Sequence, residues 1–258
     1  MINSINIGPI SIHFYSLCIL LGIVLAYIVI IKETKKQGIN TDLMYNIIFY
    51  GLIIGIICAR IYYVFFNFDY YVFYLDEIFK IWHGGLAIHG GIIGGLIVVY
   101  IYSERRNISF FKLTDIIIPG VLLAQAIGRW GNFFNQEAYG TVVSKEFLQK
   151  LFVPNFVIKG MFINGEYHLP TFYFESLLCL LGFIIILLLR KKFKKTGLVT
   201  GFYLIWYGTL RYIIEKYRTD SLMLFDAKVA MIVSGLMIIF GIVILIVSIK
   251  GLRRGKER

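Results

Sequence analysis

Cysteine, histidine, proline and acidic residues are all scarce in this chain of 258 residues, which has 3 Cys, 4 His, 4 Pro and 15 Asp plus Glu. The three cysteines, Cys18, Cys58 and Cys179, are too far apart for a disulfide framework or a zinc site, so we expect them to be small core residues. Only 16% of the residues are charged, whereas 59% are hydrophobic. Because a soluble globular domain is less apolar than this, the composition predicts a polytopic membrane protein.

Seven apolar runs predict transmembrane helices, because about 20 residues are enough to cross roughly 30 Å of hydrocarbon. In chain order the runs cover about residues 13–31, 43–66, 86–102, 112–128, 171–189, 198–214 and 227–249. The fourth run is the weakest, since Asp115 and Pro119 interrupt it. The runs lack the alternating pattern of outer-membrane strands. We therefore expect an all-α protein with seven transmembrane helices.

The basic residues predict the orientation of these helices. Most of the 26 Lys and Arg residues fall in the loops after runs one, three and five and in the tail after run seven, which the positive-inside rule assigns to the cytoplasm. The N-terminus is then outside, the C-terminus is cytoplasmic, and the segments of about 67–85 and 129–170 are extracytoplasmic. No Lys or Arg precedes Lys32, so the first run lacks the basic region of a signal peptide and is expected to be retained.

One membrane domain covering residues 1–258 is the simplest organisation, because the chain has no internal repeat and no linker long enough to divide it. The formal net charge of +11 is expected to face anionic lipid headgroups on the cytoplasmic side. A nucleic-acid partner is therefore not needed to explain the charge.

Several ionisable side chains fall near the predicted membrane, where they are costly unless paired or solvated and are therefore functional candidates. They are Arg60, His89, Arg129 and Glu137 in the stretch "GRWGNFFNQEAYG", Glu175, and the pair Arg211 and Glu215 at i, i+4 spacing. The expected orientation puts all of them except Arg60 in the outer half of the membrane. A shared depth predicts one cavity.

Each candidate also has a structural interpretation. Arg60 can extend towards the interface or pair with a carboxylate, and Arg211 with Glu215 can form a helix-end ion pair. His89 can be a satisfied interior histidine among glycines that let helices approach closely, although the same glycines also admit a ligand. These alternatives stay open at the level of sequence.

The stretch "GRWGNFFNQEAYG" covers residues 128–140 and combines donors suited to an oxyanion. Arg129 offers a planar fork of N–H groups that matches a phosphate, and Asn132 and Asn135 add amide donors. Glu137 can orient the arginine or hold a proton. The structural alternative is a loop that hydrogen-bonds to itself, with turns at its glycines.

This stretch resembles the signature G-R-x-G-N-F-x-N-x-E-x-x-G of the prolipoprotein diacylglyceryl transferase family. The chain has every fixed residue, namely Gly128, Arg129, Gly131, Asn132, Phe133, Asn135, Glu137 and Gly140. Three further segments are similar to the same family: "HFYSLCILLG" with Tyr15, "WHGGLAIHGG" with His89, and "RYIIEKYRTD" with Arg211 and Glu215. The resemblance covers essentially the whole chain.

One segment departs from the family pattern. The family has H-P-T-x-L-Y-E before the fifth run, whereas this chain has "HLPTFYFE", in which His168 and Tyr173 are each displaced by one residue. The acid is retained at Glu175. The roles of the displaced histidine and tyrosine therefore do not transfer directly.

The resemblance implies an enzyme that moves the diacylglyceryl group of phosphatidylglycerol to the lipobox cysteine of a preprolipoprotein and releases glycerol phosphate. It implies that Arg129 and Arg211 neutralise the phosphate and that His89 accepts a proton or donates to the phosphate, with Glu137 or a water as the alternative base. The implied substrate-binding residues are Tyr15, Arg60, Asn132, Asn135, Glu137, Gly140, Glu175 and Glu215. We expect a monomer in the bacterial cytoplasmic membrane, without a metal or an organic cofactor.

Two other functions fit the same residues. A lipid or amphiphile transporter would use the arginines to bind a headgroup without chemistry, although the chain lacks the internal symmetry that many transporters show. A re-targeted or inactive member of the family is the other alternative, since the "HLPTFYFE" segment is altered.

Overall fold

Helices make up most of the computed structural model, which describes residues 4–7, 10–190, 192, 195–224 and 227–255. The helices are α1 (Phe14–Lys36), α2 (Thr41–Phe66), α3 (Phe68–Tyr71), α4 (Ile88–Arg106), α5 (Phe110–Asn135), α6 (Lys145–Lys150), α7 (Asn155–Gly160), α8 (Thr171–Leu189), α9 (Leu198–Tyr217) and α10 (Val229–Gly255), and Leu75–Phe79 and Ile81–His83 are 3-10 helices. Three small antiparallel hairpins, which the sequence did not predict, pair β1 (Ser4–Ile7) with β2 (Ile10–His13), β3 (Phe162–Ile163) with β4 (Glu166–Tyr167), and β5 (Met223–Leu224) with β6 (Ala227–Lys228).

The chain divides into two compact units. One comprises Met1–Ile30 and Ile117–Arg258, and the other comprises Ile31–Ile116. The expectation of one membrane domain stays a prediction.

Within the described residues, five helices are long and apolar enough to cross a membrane. They are α1, α2, α5, α8 and the Val229–Lys250 part of α10. Only 11% of the apolar segment of α10 is buried within the protein, which leaves a large exposed apolar surface of the kind that contacts lipid in membrane proteins. The chain is therefore a multi-pass membrane protein. The third and sixth predicted runs are also helical, as α4 and α9, but their glycines and polar residues make them less apolar, and seven spans stay a prediction.

The fourth predicted run ends too early. α5 continues past residue 128 to Asn135, so the segment expected to begin at 129 starts after this helix, and Gly128 and Gly131 are helical rather than in turns. The helix persists because Phe133 packs into a buried cluster under the following loop, with Leu148, Val153, Val157, Ile158, Met161, Ile163 and Phe172. The same helix also passes through Pro119 without ending.

Glycines bring α4 against α2 in the unit 31–116. A Cβ at Gly90 would clash with the carbonyl oxygen of Cys58, and a Cβ at Gly94 would lie 2.8 Å from that of Ile54. The two backbones can therefore be this close only because these positions lack side chains, as in other small-residue helix pairs. Gly95 has no neighbour within 4 Å and makes no such contact among the described residues.

A buried aliphatic cluster joins α5, α8 and α9 in the other unit. It consists of Ile118, Leu122, Ala126, Cys179, Ile186, Val199, Leu210 and Ile214. Cys179 is fully buried there, as predicted for a small core residue, whereas Cys18 and Cys58 are only partly buried. This cluster packs together the three helices that bear the charged residues considered below.

We predict that Gly90→Ala destabilises the protein and that Gly91→Ala does not. The first change forces a methyl group into the Cys58 carbonyl and should cost about 1–3 kcal/mol, a typical value for overpacking. The second adds a Cβ at an ordinary 3.7 Å contact, where replacing a helical glycine is neutral or stabilising by roughly 0.5–1 kcal/mol. Thermal unfolding of both variants in detergent checks the difference. Equal melting temperatures would contradict the close α2–α4 approach.

Candidate active site

Two hydrogen bonds fix α5 to α8 beside Arg129, the arginine of the signature. The Trp130 indole N–H donates to Ser176 Oγ at 3.1 Å, and Ser176 Oγ donates to the Ala126 carbonyl at 2.7 Å. Arg129 precedes Trp130, and Glu175 precedes Ser176. The bonds therefore set the positions of these two charged residues relative to each other.

Glu175 is the centre of a charged cluster formed by α5, α8 and α9. Its Oε1 lies 2.7 Å from Arg129 Nη2, and its Oε2 lies 3.3 Å from Arg211 Nη1. Arg211 Nη2 in turn lies 2.7 Å from Glu215 Oε2. The cluster has two positive and two negative residues, so its formal charges cancel. A buried group of this kind is tolerated because each charge has a partner.

The arginines are more accessible than the carboxylates. The side chains of Glu175 and Glu215 are 2% exposed, whereas those of Arg129 and Arg211 are 21% and 15% exposed. Within the described part of the chain, the hydrogen bond and the ion pair of Arg129 both involve Nη2, which leaves its Nε and Nη1 donors available. The carboxylates thus anchor the inner side of each guanidinium while donors remain for an anion.

Tyr207 belongs to this cluster, and the sequence argument missed it. Its hydroxyl accepts from Arg129 Nη2 at 3.3 Å and donates to Glu175 Oε1 at 3.2 Å. The Tyr203 ring stacks on the Tyr207 ring, with centroids 5.7 Å apart. Both tyrosines precede Arg211 at four-residue intervals on α9, a spacing that places them on one helix face. That spacing could have indicated from the sequence that Tyr207 lies near Arg211.

The amides of the signature form a second group at the end of α5. Asn132 Nδ2 and Asn135 Nδ2 both donate to Glu137 Oε1, at 3.0 and 3.4 Å. Glu137 is exposed and orients these two amides, and its predicted roles, to orient the arginine or to hold a proton, stay predictions. Tyr15 reaches the same helix, because its ring occupies the place where Gly131 would have a Cβ.

Gly140 lies where three segments meet. Its N–H donates to the Leu169 carbonyl at 2.9 Å, and a Cβ there would lie 3.0 Å from side-chain atoms of Leu169 and Thr171 and 3.1 Å from the Tyr217 carbonyl oxygen. The predicted contact of Gly140 with substrate stays a prediction. The structure gives it a packing role.

His168, the displaced histidine, supports the same junction. Its Nδ1 lies 3.2 Å from the Gly140 carbonyl oxygen, and its ring packs 4.5 Å from the ring of Tyr139. These contacts hold the loop. They do not include the charged cluster.

The C-terminal end of α9, which bears Glu215, is capped by Lys228 of β6. Lys228 Nζ donates to the Glu215 carbonyl at 2.7 Å and to the Arg218 carbonyl at 2.8 Å, and a cation is favourable at this end of a helix. Arg218 also binds Asp220 with two hydrogen bonds of 2.8 and 2.9 Å. Partial burial raises the pKa of Asp220, but these bonds outweigh it and the pKa is lowered from its usual value.

The unit 31–116 contains the two remaining predicted residues. His89 is the second residue of α4, with its ring centroid 5.9 Å from that of Tyr62. Arg60 lies in the last two turns of α2, which ends at the same residue as the predicted second run. All of its hydrogen bonds within the described residues go to main-chain carbonyls, so it has no carboxylate partner there.

The arrangement is suited to holding a phosphate. Two arginines are preorganised by buried carboxylates, and preorganised donors stabilise charge that develops during a reaction. The bidentate geometry of guanidinium groups also matches phosphate oxygens.

Comparison with known proteins identifies relatives of this chain. Residues 3–247 match the family described as prolipoprotein diacylglyceryl transferase. Proteins of Streptococcus pyogenes serotype M5 (strain Manfredo) and serotype M49 (strain NZ131), both named phosphatidylglycerol–prolipoprotein diacylglyceryl transferase, are 48% identical over 250 residues, which is 95% of this chain and 95% of each relative. A family match over nearly the whole length, with the complete signature in place, leads to one conclusion: this chain belongs to the prolipoprotein diacylglyceryl transferase family.

Proposed function

We propose that this protein transfers the diacylglyceryl group of phosphatidylglycerol to the lipobox cysteine thiol of preprolipoproteins. The relatives named for this reaction support the proposal, as they align over 95% of the chain. The observation that carries it is the cluster in which Glu175 bridges Arg129 and Arg211, because the reaction needs neutralisation of a departing phosphate.

The chemistry defines what the residues must do. The substrate sulfur forms a bond to the glycerol carbon of the diacylglyceryl group, and the bond between that carbon and the phosphate oxygen breaks. The electron pair of the broken bond leaves with glycerol phosphate, and the thiol proton passes to a base. Negative charge grows on the phosphate as the bond breaks, so donors placed there stabilise the transition state more than the ground state.

Arg129 and Arg211 are the proposed catalytic donors to the phosphate. Glu175 and Glu215 hold them in place, and His89 is the proposed proton acceptor or a further phosphate donor. Tyr15, Asn132, Asn135 and Glu137 are proposed to position the headgroup, since Tyr15 and the amide group both lie at the end of α5. The apolar helices supply the surroundings for two acyl chains, and no metal or organic cofactor is invoked.

We further propose that the protein acts as a monomer in the bacterial cytoplasmic membrane, with seven spans, an outer N-terminus and no nucleic-acid partner. In this arrangement α4 and α9 also cross the membrane, in addition to the five apolar helices. The basic loops then face the cytoplasm, in accord with the positive-inside rule.

A direct assay tests the function. Purified protein is incubated with phosphatidylglycerol vesicles and a lipobox peptide, and mass spectrometry follows the peptide. We expect a diacylglyceryl thioether on the cysteine and release of glycerol phosphate. Movement of a labelled headgroup across the bilayer without peptide modification would support the transporter alternative, and an unmodified peptide without transport would support an inactive member.

The topology predicts the labelling of single cysteines in a background lacking the three native ones. Cysteines replacing Glu77 and Asp220 should react with a membrane-impermeant maleimide from outside, whereas those replacing Arg105 and Lys192 should react only after permeabilisation. These four positions flank α4 and α9, the two helices whose crossing the composition leaves open. Both positions of one pair reacting from the same side would show that this helix does not cross.

We expect Arg129→Lys and Arg211→Lys to lose most of the activity while the protein stays folded. Lysine keeps the charge but lacks the planar fork, and losing a preorganised donor set typically costs on the order of 10²-fold in turnover. The measurement is turnover per folded molecule, with the detergent melting temperature of each variant. Arg105→Lys, an exposed position, is the matched control and should have normal turnover. Near-normal turnover in both site variants would refute the phosphate clamp.

Glu175→Gln should impair turnover more than His168→Ala. The first change leaves two arginines without their shared counter-charge, whereas the second removes one hydrogen bond and a ring contact in the loop. The measurement is again turnover per folded molecule. Glu166→Gln, which makes the same change of charge at an exposed residue, is the control. A greater loss in His168→Ala would show that the displaced histidine still acts in the reaction.

A further inference from the structure

Main-chain carbonyls of a single segment, residues 77–85, accept four hydrogen bonds from the Arg60 guanidinium. Its Nε donates to the Ile78 carbonyl at 2.9 Å and its Nη2 donates to that of Glu77 at 2.6 Å. Its Nη1 donates to the carbonyls of Gly84 and Gly85, at 2.6 and 2.9 Å. The four bonds fasten the segment that follows α3 onto α2.

The site around the guanidinium is built for its shape. Tyr71 provides a ring 5.3 Å from Arg60 Cζ, within the range of a cation–π contact. Gly84 and Gly85 have φ values of 88° and 78°, which favour glycine. A Cβ at Gly85 would lie 2.5 Å from Arg60 Nη1 and 2.7 Å from the Tyr63 ring. With Arg60 and Tyr63 in these positions, the turn requires glycine at residue 85.

The positive charge of Arg60 is compensated by the dipoles of main-chain carbonyls rather than by a carboxylate. Arg60 is 6% exposed, and no carboxylate of the described residues forms an ion pair with it. The Glu77 carboxylate instead binds Lys80 and His83, at 2.8 Å each. These bonds involve all three guanidinium nitrogens and four of the five N–H groups, so little donor capacity is left for a substrate phosphate.

The fastened turn leads directly into the helix that bears His89. The Ala87 N–H donates to the carbonyl of Ala59 at 3.1 Å. Ala59 lies on α2, directly before Arg60. α4 begins at Ile88 without a side-chain cap, and Gly90 then packs on the backbone of α2. The position of the first turn of α4 is therefore set by contacts with the same stretch of α2.

We propose that Arg60 is a positioning residue that fixes the first turn of α4 and so places the His89 imidazole. The catalytic part of this inference rests on the proposed function of His89. The fastening itself rests only on the contacts within the unit 31–116. Arg60 does not bind substrate in this account, in contrast to the role that the sequence suggested.

The test uses Arg60→Lys, Gly85→Ala and the double variant in the full-length protein. Lysine keeps the charge but its single ammonium cannot reach four carbonyls on both sides, and alanine at residue 85 displaces Nη1. Gly95→Ala is the control, because a Cβ there meets nothing within 4 Å. Each variant is analysed for kcat and KM in the peptide assay, for hydrogen exchange, and for the carbethoxylation rate of His89 relative to His168.

We expect both single variants to lower kcat by about tenfold or more with little change in the KM for phosphatidylglycerol, because small misplacements of a catalytic group are costly. Amide exchange across residues 84–91 should increase, and the rate of His89 modification should change while that of His168 does not. The double variant should be no worse than the poorer single variant, since both remove the same contact. Gly95→Ala should match the wild type.

Two outcomes would overturn the inference. Unchanged exchange at residues 84–91 in Arg60→Lys would show that the bonds do not hold the turn, and a raised KM with normal kcat would show that Arg60 binds substrate. Failure of the proposed function is distinct, because it appears as a wild-type protein that does not modify the peptide. The exchange and His89 modification measurements then still decide whether Arg60 places the histidine.

Discussion

The ion pairs of Glu175 dominate the candidate active site, because they allow two arginines to coexist inside a bundle of apolar helices. Opposite charges in a medium of low dielectric attract strongly, but each ion also loses its hydration, so the cluster is tolerable only while every charge has a partner. Removing one partner of such a group typically costs about 3–5 kcal/mol. The Trp130 and Ser176 hydrogen bonds and the Lys228 cap maintain α5, α8 and α9 in the positions that this pairing needs.

Arg60 is also a buried arginine whose charge must be compensated, but within the described part of the chain carboxylates do not provide the compensation there. There the partial negative charges of four carbonyl oxygens compensate the guanidinium, and two of the four belong to the glycines Gly84 and Gly85, which let the chain turn around it. Glycine thus has two roles in this protein. At Gly84 and Gly85 it supplies a left-handed turn, and at Gly90 and Gly94 it lets the backbones of two helices meet.

The sequence predicted most of the helices and most of the charged site, because apolar runs and a signature are local patterns. It ended α5 too early because Arg129, Asn132 and Asn135 have the polarity of a loop, although they continue one helix whose other face packs Phe133. The pairing of Arg129 with Glu175 joins residues on different helices, which no spacing along the chain reveals. The partners of Arg60 were beyond prediction for another reason: every residue has a carbonyl, so side-chain identity carries no information about them.

The charged cluster also determines how the protein meets an anionic lipid. With two positive and two negative residues its field falls off quickly beyond the site, and electrostatic steering over long distances is weak. A phosphatidylglycerol molecule would instead arrive by lateral diffusion along the lipid-covered helices, in the medium that also solvates the protein. The quantity that governs occupancy of the site is then the mole fraction of the donor in the leaflet rather than its concentration in water.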